Sequence, residues 1–229
     1  MGIEGTISNP LIFPFLLAMT FALPSFTAGM VLSISLIMAI GPQNAHVLRM
    51  GLQRQHVGLT VAVCMLSDMV LIGIGVLGLS QLGGLSDKLL GALVGAGALF
   101  LAVYGWKAFQ RFLHPQVLSL DPATAQAASA PATSRRQAVL AALAFSWLNP
   151  HAWLDTAVLI GTASLAYGAS ANVFGMGAAA GSVVWFAALG LAAFWLGRRL
   201  NSLHIWRALD GAVALMMWGT AAFLLKSLF

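Results

Sequence analysis

Charged side chains are scarce in this chain, making up 7% of its 229 residues. Soluble domains carry about 25%, so most of this surface does not face water. With 60% hydrophobic residues and a mean hydropathy of +0.91, lipid is the solvent that suits it. Cysteine is nearly absent too. Cys64 stands alone, which excludes an internal disulfide and paired-thiol redox chemistry. The P-loop pattern GxxxxGK[ST] does not occur, so the chain carries no nucleotide-driven motor of that kind. No His/Cys/Asp spacing matches a metal site, and no cofactor is expected. The basic excess, 11 Lys and Arg against 6 Asp and Glu, lies at the ends of apolar stretches without stacking aromatics. That pattern anchors a protein in a bilayer and does not point to nucleic acid.

What the chain does have is long apolar runs. Stretches near 25–48, 57–79, 86–109, 138–163, 172–196 and 206–227 reach the roughly 20 residues a spanning helix needs. They predict an all-α polytopic membrane protein with six transmembrane helices, its domain covering 25–229. Ser86 and Asp87 read as the cap and first turn of the third helix. Residues 1–24 form an N-terminal extension. Its apolar part, 11–23, is too short to span and carries Pro14 and Pro24 at its margins. It is expected to lie at the interface or to continue the first helix. Glu4, with no positive charge before the run, argues against a cleaved signal. The one long connection, about 110–137, is rich in Pro, Ala, Ser and Thr and reads as a solvent loop.

Basic residues set the orientation. Arg49 and Arg54 follow the first helix; Lys107, Arg111, Arg135 and Arg136 flank the third connection; Arg198, Arg199 and Arg207 flank the fifth. All of these fall on one side, which the positive-inside rule makes cytoplasmic, leaving both termini periplasmic in a bacterial inner membrane. Six helices around one long middle loop suggest a 3+3 inverted repeat. Gly91 with Gly95, and Gly177 with Gly181, have GxxxG spacing that would let backbones approach closely. Such seams allow a homodimer without requiring one.

Helices 1 and 4 are expected to break inside the membrane. Ile40-Gly41-Pro42-Gln43-Asn44 interrupts the first and Ser146-Trp147-Leu148-Asn149-Pro150-His151 the fourth. Each proline removes a backbone donor and clashes with the preceding turn. The freed carbonyls need partners, which in hydrocarbon means protein or a wet cavity. Asn149 is placed to cap a half-helix starting at Pro150, whose positive end can receive a substrate carboxylate. Pro150 lies 14 residues beyond Arg136, about 21 Å along an ideal helix, so the breaks agree in depth. Paired interruptions of this kind point to a transport site; ordinary proline kinks are the plainer alternative.

Asp68 lies mid-helix, 14 residues after Arg54, and Asp155 follows the second break by five. Each costs about 2.5–3.5 kcal/mol at the bilayer centre, so an intramembrane acid defaults to function. A buried acid that fixes helix packing is the bland reading. His151 and Asp155 are four apart and share a face of a continuous helix, where they can pass a proton or hold a static hydrogen bond. His46 and His56 flank the first basic loop and are expected to be solvated.

At these residues the sequence resembles the LysE family of amino acid exporters, especially its lysine/arginine branch. The matching stretches are Ile40-Gly-Pro-Gln-Asn-Ala45, Val47-Leu-Arg-Met-Gly51, Ser67-Asp68, and Trp147-Leu-Asn-Pro-His-Ala-Trp-Leu-Asp-Thr156. The resemblance as a whole covers about residues 25–225. His46 departs from the apolar residue usual after GPQNA. The resemblance implies proton-driven export of lysine or arginine from the cytoplasm, with Gly41, Pro42, Gln43, Asn44, Asp68, Asn149, Pro150 and Asp155 carried over as the site. The partners it implies are an amino acid substrate, protons and the lipid bilayer. Two rivals stay open: a related exporter of neutral amino acids, and an intramembrane aspartyl protease. The protease usually carries a GxGD motif, which Leu66-Ser-Asp-Met69 does not match.

Overall fold

The computed structural model describes residues 12–39, 41–79, 87–114, 133–197, 199 and 203–226, with side chains from Ala22 onward. Residues 1–11, Ile40, the expected cap Ser86 and most of the long loop lie outside the described residues. Within them the chain is helical. In order, α1 is Ile12–Ile37, α2 Pro42–Gln53, α3 Val57–Ile74, α4 Asp87–Leu113 and α5 Arg135–Trp147. Then α6 starts as Pro150–Ala152, widens into a π-helical Trp153–Leu159 and closes as Ile160–Leu165; α7 is Ala171–Leu196 and α8 Leu203–Lys226. A second π-helical stretch, Gly75–Leu79, extends α3. The apolar run near 11–23 is therefore largely helical and continuous with α1, passing through Pro24.

Among the described residues, Val57–Gly78, Gly168–Leu196 and Trp206–Lys226 are long and apolar enough to cross a membrane, and the bent pair Ala22–Ile37 and Pro42–Gln53 can supply a fourth span. The other two stretches expected to span are occupied by α4 and by α5 with α6. Leu23, Leu77, Leu99, Met176, Leu191 and Leu215 are exposed on the outside of the bundle. A large apolar surface of this kind suits lipid and not water. The protein is a multi-pass membrane protein.

The two interruptions have clear local causes. α1 stops at Ile37, and Pro42 opens α2 at a position where its missing N–H costs nothing. The chain turns by 79° between them. Asn44 Nδ2 reaches back to the carbonyls of Ile37 at 2.5 Å and Ala39 at 2.9 Å, so the end of α1 is not left unpaired. α5 opens with a capping box between Ser134 and Gln137 and ends at Trp147, whose carbonyl accepts from the Trp153 indole at 3.0 Å. At both breaks a side chain beyond the proline satisfies the carbonyl that the broken ladder released.

α1 lies along α7, α3 along both α5 and α7, and α4 along α8. The closest approaches are made through glycine. A Cβ on Gly29 would run into the Phe174 carbonyl, and one on Gly177 into that of Phe26. Gly75 and Gly161 bring the two π-helical regions together in the same way, against Ala157 and Gly75. Gly91 and Gly95 make no such approach within the chain: among the described residues nothing lies within 4 Å of a Cβ at either.

α2 departs furthest from expectation. Its sequence, PQNAHVLRMGLQ, is the most polar of the helices, yet most of it is buried. The 79° bend carries it into the bundle, against α7, α3 and α5. His46 and Arg49 are therefore interior residues and not parts of a solvated loop. His56 is half-buried, its Nε2 donating to the Thr133 carbonyl at 2.8 Å. Gln55 accepts from the Thr133 N–H at 3.1 Å, so the α2–α3 turn holds the start of α5.

Candidate functional site

A cavity of about 240 Å3 lies where the two breaks meet. The first break lines it with Gly41, Pro42, Gln43 and Asn44, and the second with Asn149, His151 and Asp155. Asp68 enters from α3, and Thr156 and Thr220 complete the polar lining. Pro150 is not part of the wall; it sits buried at the first position of α6. Residues far apart in the chain, such as Gln43 and Ser146 at a separation of 103, are thus gathered at one place by the two interruptions.

The carboxylates differ in environment. Asp68 is buried, and both of its oxygens are occupied. Oδ1 accepts from Gln43 Nε2 at 3.2 Å and Oδ2 from Ser182 Oγ at 2.9 Å. Gln43 Nε2 also donates to Ser146 Oγ at 3.1 Å, which in turn donates to the Ala142 carbonyl at 3.0 Å. One chain of hydrogen bonds therefore links α2, α3, α5 and α7 through the acid, as a buried charge in low dielectric requires. Asp155 is half-buried, and its carboxylate makes no hydrogen bond or ion pair among the described residues. His151 does not bond to it. The imidazole instead stacks on Phe223, with ring centroids 5.7 Å apart.

The helix N-termini at the cavity are also unequal. Asn149 caps α6 as expected, Oδ1 accepting from the His151 N–H at 3.2 Å. Its carbonyl takes the Ala152 and Trp153 N–H groups at 3.0 and 3.4 Å. The donors expected to meet a ligand at Pro150 are thus already used. α2 has no side-chain cap at all, and its N-terminus faces the same cavity. A helix start of that kind is the better anion acceptor.

Sequence reasoning missed several polar residues. Ser146, Ser182 and Trp185 reach the site from α5 and α7; Trp185 Nε1 donates to Asn44 Oδ1 at 3.1 Å. Single hydroxyls in apolar helices carry no motif. Asp210 was missed as well. It is buried at the start of α8, where it ion-pairs with Arg49 and, at 3.1 Å, with Arg111. Its signal was an acid inside the last apolar run, three residues after Arg207.

Among its described residues the chain is an all-helical, multi-pass membrane protein with a polar cavity between two broken helices, the build of a membrane transporter. The LysE type translocator family covers residues 34–228, and the chain belongs to it. It is 40% identical over 199 residues to the arginine exporter protein ArgO of Serratia proteamaculans, covering 86% of this chain and 93% of that protein. The ArgO protein of Pectobacterium carotovorum is 36% identical, with 86% and 94% covered. The lysine exporter LysE of Corynebacterium efficiens is 32% identical, with 86% and 96% covered. No solved structure matches the chain.

Proposed function

We propose that this protein exports basic amino acids, arginine and lysine, from the cytoplasm in exchange for protons. The observation that carries the reading is the cavity in which Asp68 and Asp155 face the two helix breaks. Family membership and relatives named for arginine and lysine export support it. Asp155, unpaired, takes the cationic side chain of the substrate. The uncapped start of α2 takes its carboxylate. Asp68, held by Gln43 and Ser182, is the proton-accepting group whose neutralisation releases the cation.

The architecture behind this reading is six spans in two inverted halves. Each half consists of one interrupted helix followed by two continuous ones. The packing repeats accordingly: α1 and α2 lie against α7 as α5 and α6 lie against α3, with α4 meeting α8. The basic ends, including Arg54, Arg135, Arg136 and Arg199, then face the cytoplasm of a bacterial cell, with both termini on the periplasmic side of the inner membrane.

The test is uptake of labelled arginine or lysine by inverted membrane vesicles. An imposed pH gradient, acid inside, should drive accumulation, and collapsing it should stop it. Excess unlabelled lysine should block arginine entry. Equal competition by threonine or leucine would assign the cavity to neutral amino acids and remove the basic-substrate reading.

A further inference from the structure

A second cavity, of about 1000 Å3, opens at the basic face of the bundle, between the C-terminal ends of α2 and α4 and the starts of α5 and α8. Its charges do not balance. Among the described residues, Arg49, Lys107 and Arg111 line it and Asp210 is the single carboxylate in its wall. Both arginines bond the same oxygen of that acid, Oδ1. Arg111 Nη2 is buried with no partner. A buried guanidinium nitrogen left unpaired is costly, and an arginine–carboxylate pair is the usual remedy.

His46 supplies an independent second sign. It is 3% exposed, lines this cavity, and its Nε2 has no partner. Nδ1 lies 3.3 Å from the Tyr104 hydroxyl. If Tyr104 donates to Nδ1, then Nε2–H is a donor without an acceptor. If Nδ1 donates to the hydroxyl oxygen, the phenol O–H is left over. In the first tautomer the buried Nε2–H awaits an acceptor, and in the second the half-buried phenol O–H does. Arg111 lies over the Tyr104 ring at 5.8 Å, so the unpaired donors belong to one cluster.

The geometry points to a carboxylate-binding site in this vestibule, formed by Arg111, His46 and Tyr104, where the outgoing amino acid is first engaged by its carboxylate. The assignment of the ligand rests on the export reading above; the carboxylate chemistry does not. A cationic side chain is repelled by Arg49, Lys107 and Arg111, so a basic amino acid enters with its carboxylate toward them. The route onward is short. Phe145 packs on His46 and Tyr104 at 4.8 and 4.6 Å between ring centroids, and its neighbour Ser146 bonds Gln43 at the central cavity. α2 runs from one cavity to the other, with Gln43 in the first and His46 and Arg49 in the second.

Saturation-transfer NMR of acetate on the protein in nanodiscs of zwitterionic lipid tests this. Acetate should give a signal in the wild type and in Asp68→Asn. L-Arginine should displace it, and agmatine, which lacks the carboxylate, should not. Arg111→Gln should weaken acetate binding about tenfold, the worth of one charge-assisted hydrogen bond. His46→Phe, which leaves the ion pairs intact, should weaken it as well. An acetate signal unchanged in both variants, or lost in Asp68→Asn, overturns the site. Equal displacement by chloride at matched ionic strength makes it a general anion site and overturns the assignment. Loss of the signal on adding phosphatidylglycerol makes it a lipid headgroup site and overturns the assignment equally. If L-arginine displaces acetate here while no labelled arginine crosses inverted vesicles, the vestibule stands and the transport reading falls.

Discussion

The two carboxylates of the central cavity answer to different experiments because only one has partners. Asp68→Asn retains hydrogen-bonding capacity toward Gln43 and Ser182, so the helices should still pack. Coupled export should nevertheless disappear, since the amide cannot take up a proton. Unchanged pH-driven arginine uptake in that variant would end its assigned role. Asp155→Asn removes the unpaired charge, and the loss should appear as a raised KM for arginine with membrane insertion intact. Asn149 is a purely local case. Asn149→Ala removes the cap of α6 and should lower stability by about 1 kcal/mol, while Asn149→Asp keeps a cap and should not. Thermal unfolding in detergent distinguishes them.

For whole helices, the deciding feature is how closely backbones approach. α1 and α7 touch through Gly29 and Gly177, where any side chain meets a backbone carbonyl that cannot move aside. Gly177→Val should therefore abolish folded protein, measured as loss of a monodisperse peak after solubilisation. Gly91→Ala, on an open face of α4, should behave as wild type. Identical behaviour of the two would remove the α1–α7 contact as a determinant of the fold. The residues of α2 illustrate the other side of helix packing. Its polarity suits a loop or an interface, and only its insertion among α3, α5 and α7 explains why Gln43, Asn44, His46 and Arg49 are buried together. Buried polar groups of this kind persist when each finds a partner or serves a ligand.

Across the whole molecule, the proposed topology and coupling each have a sign. Impermeant thiol reagents should label Arg54→Cys from the cytoplasmic side and Ala169→Cys from the periplasmic side, in a Cys64→Ser background free of other cysteines. Labelling of both from one side would rule out the six-span arrangement. Substrate affinity should fall as pH is lowered, because a proton taken up by Asp68 removes negative charge from the cavity in which Asp155 holds the cationic side chain. Arginine binding measured across a pH series checks this, and affinity that rises on acidification contradicts it.

The sequence alone determined the solvent, the helices and the places where they break. A 7% charged chain has no other stable surroundings than lipid, and a proline after glycine or asparagine interrupts a helix wherever it falls. It also picked out Asp68 and Asp155, since an acid in an apolar run has no local explanation. Tertiary structure alone decided the rest. The 79° turn put a polar helix inside the bundle and made Arg49, counted from sequence as a loop charge, the partner of Asp210 across 161 positions. Local pattern encodes periodicity and hydropathy, whereas pairing of distant charges and the choice of which glycines meet a neighbour depend on how the helices cross.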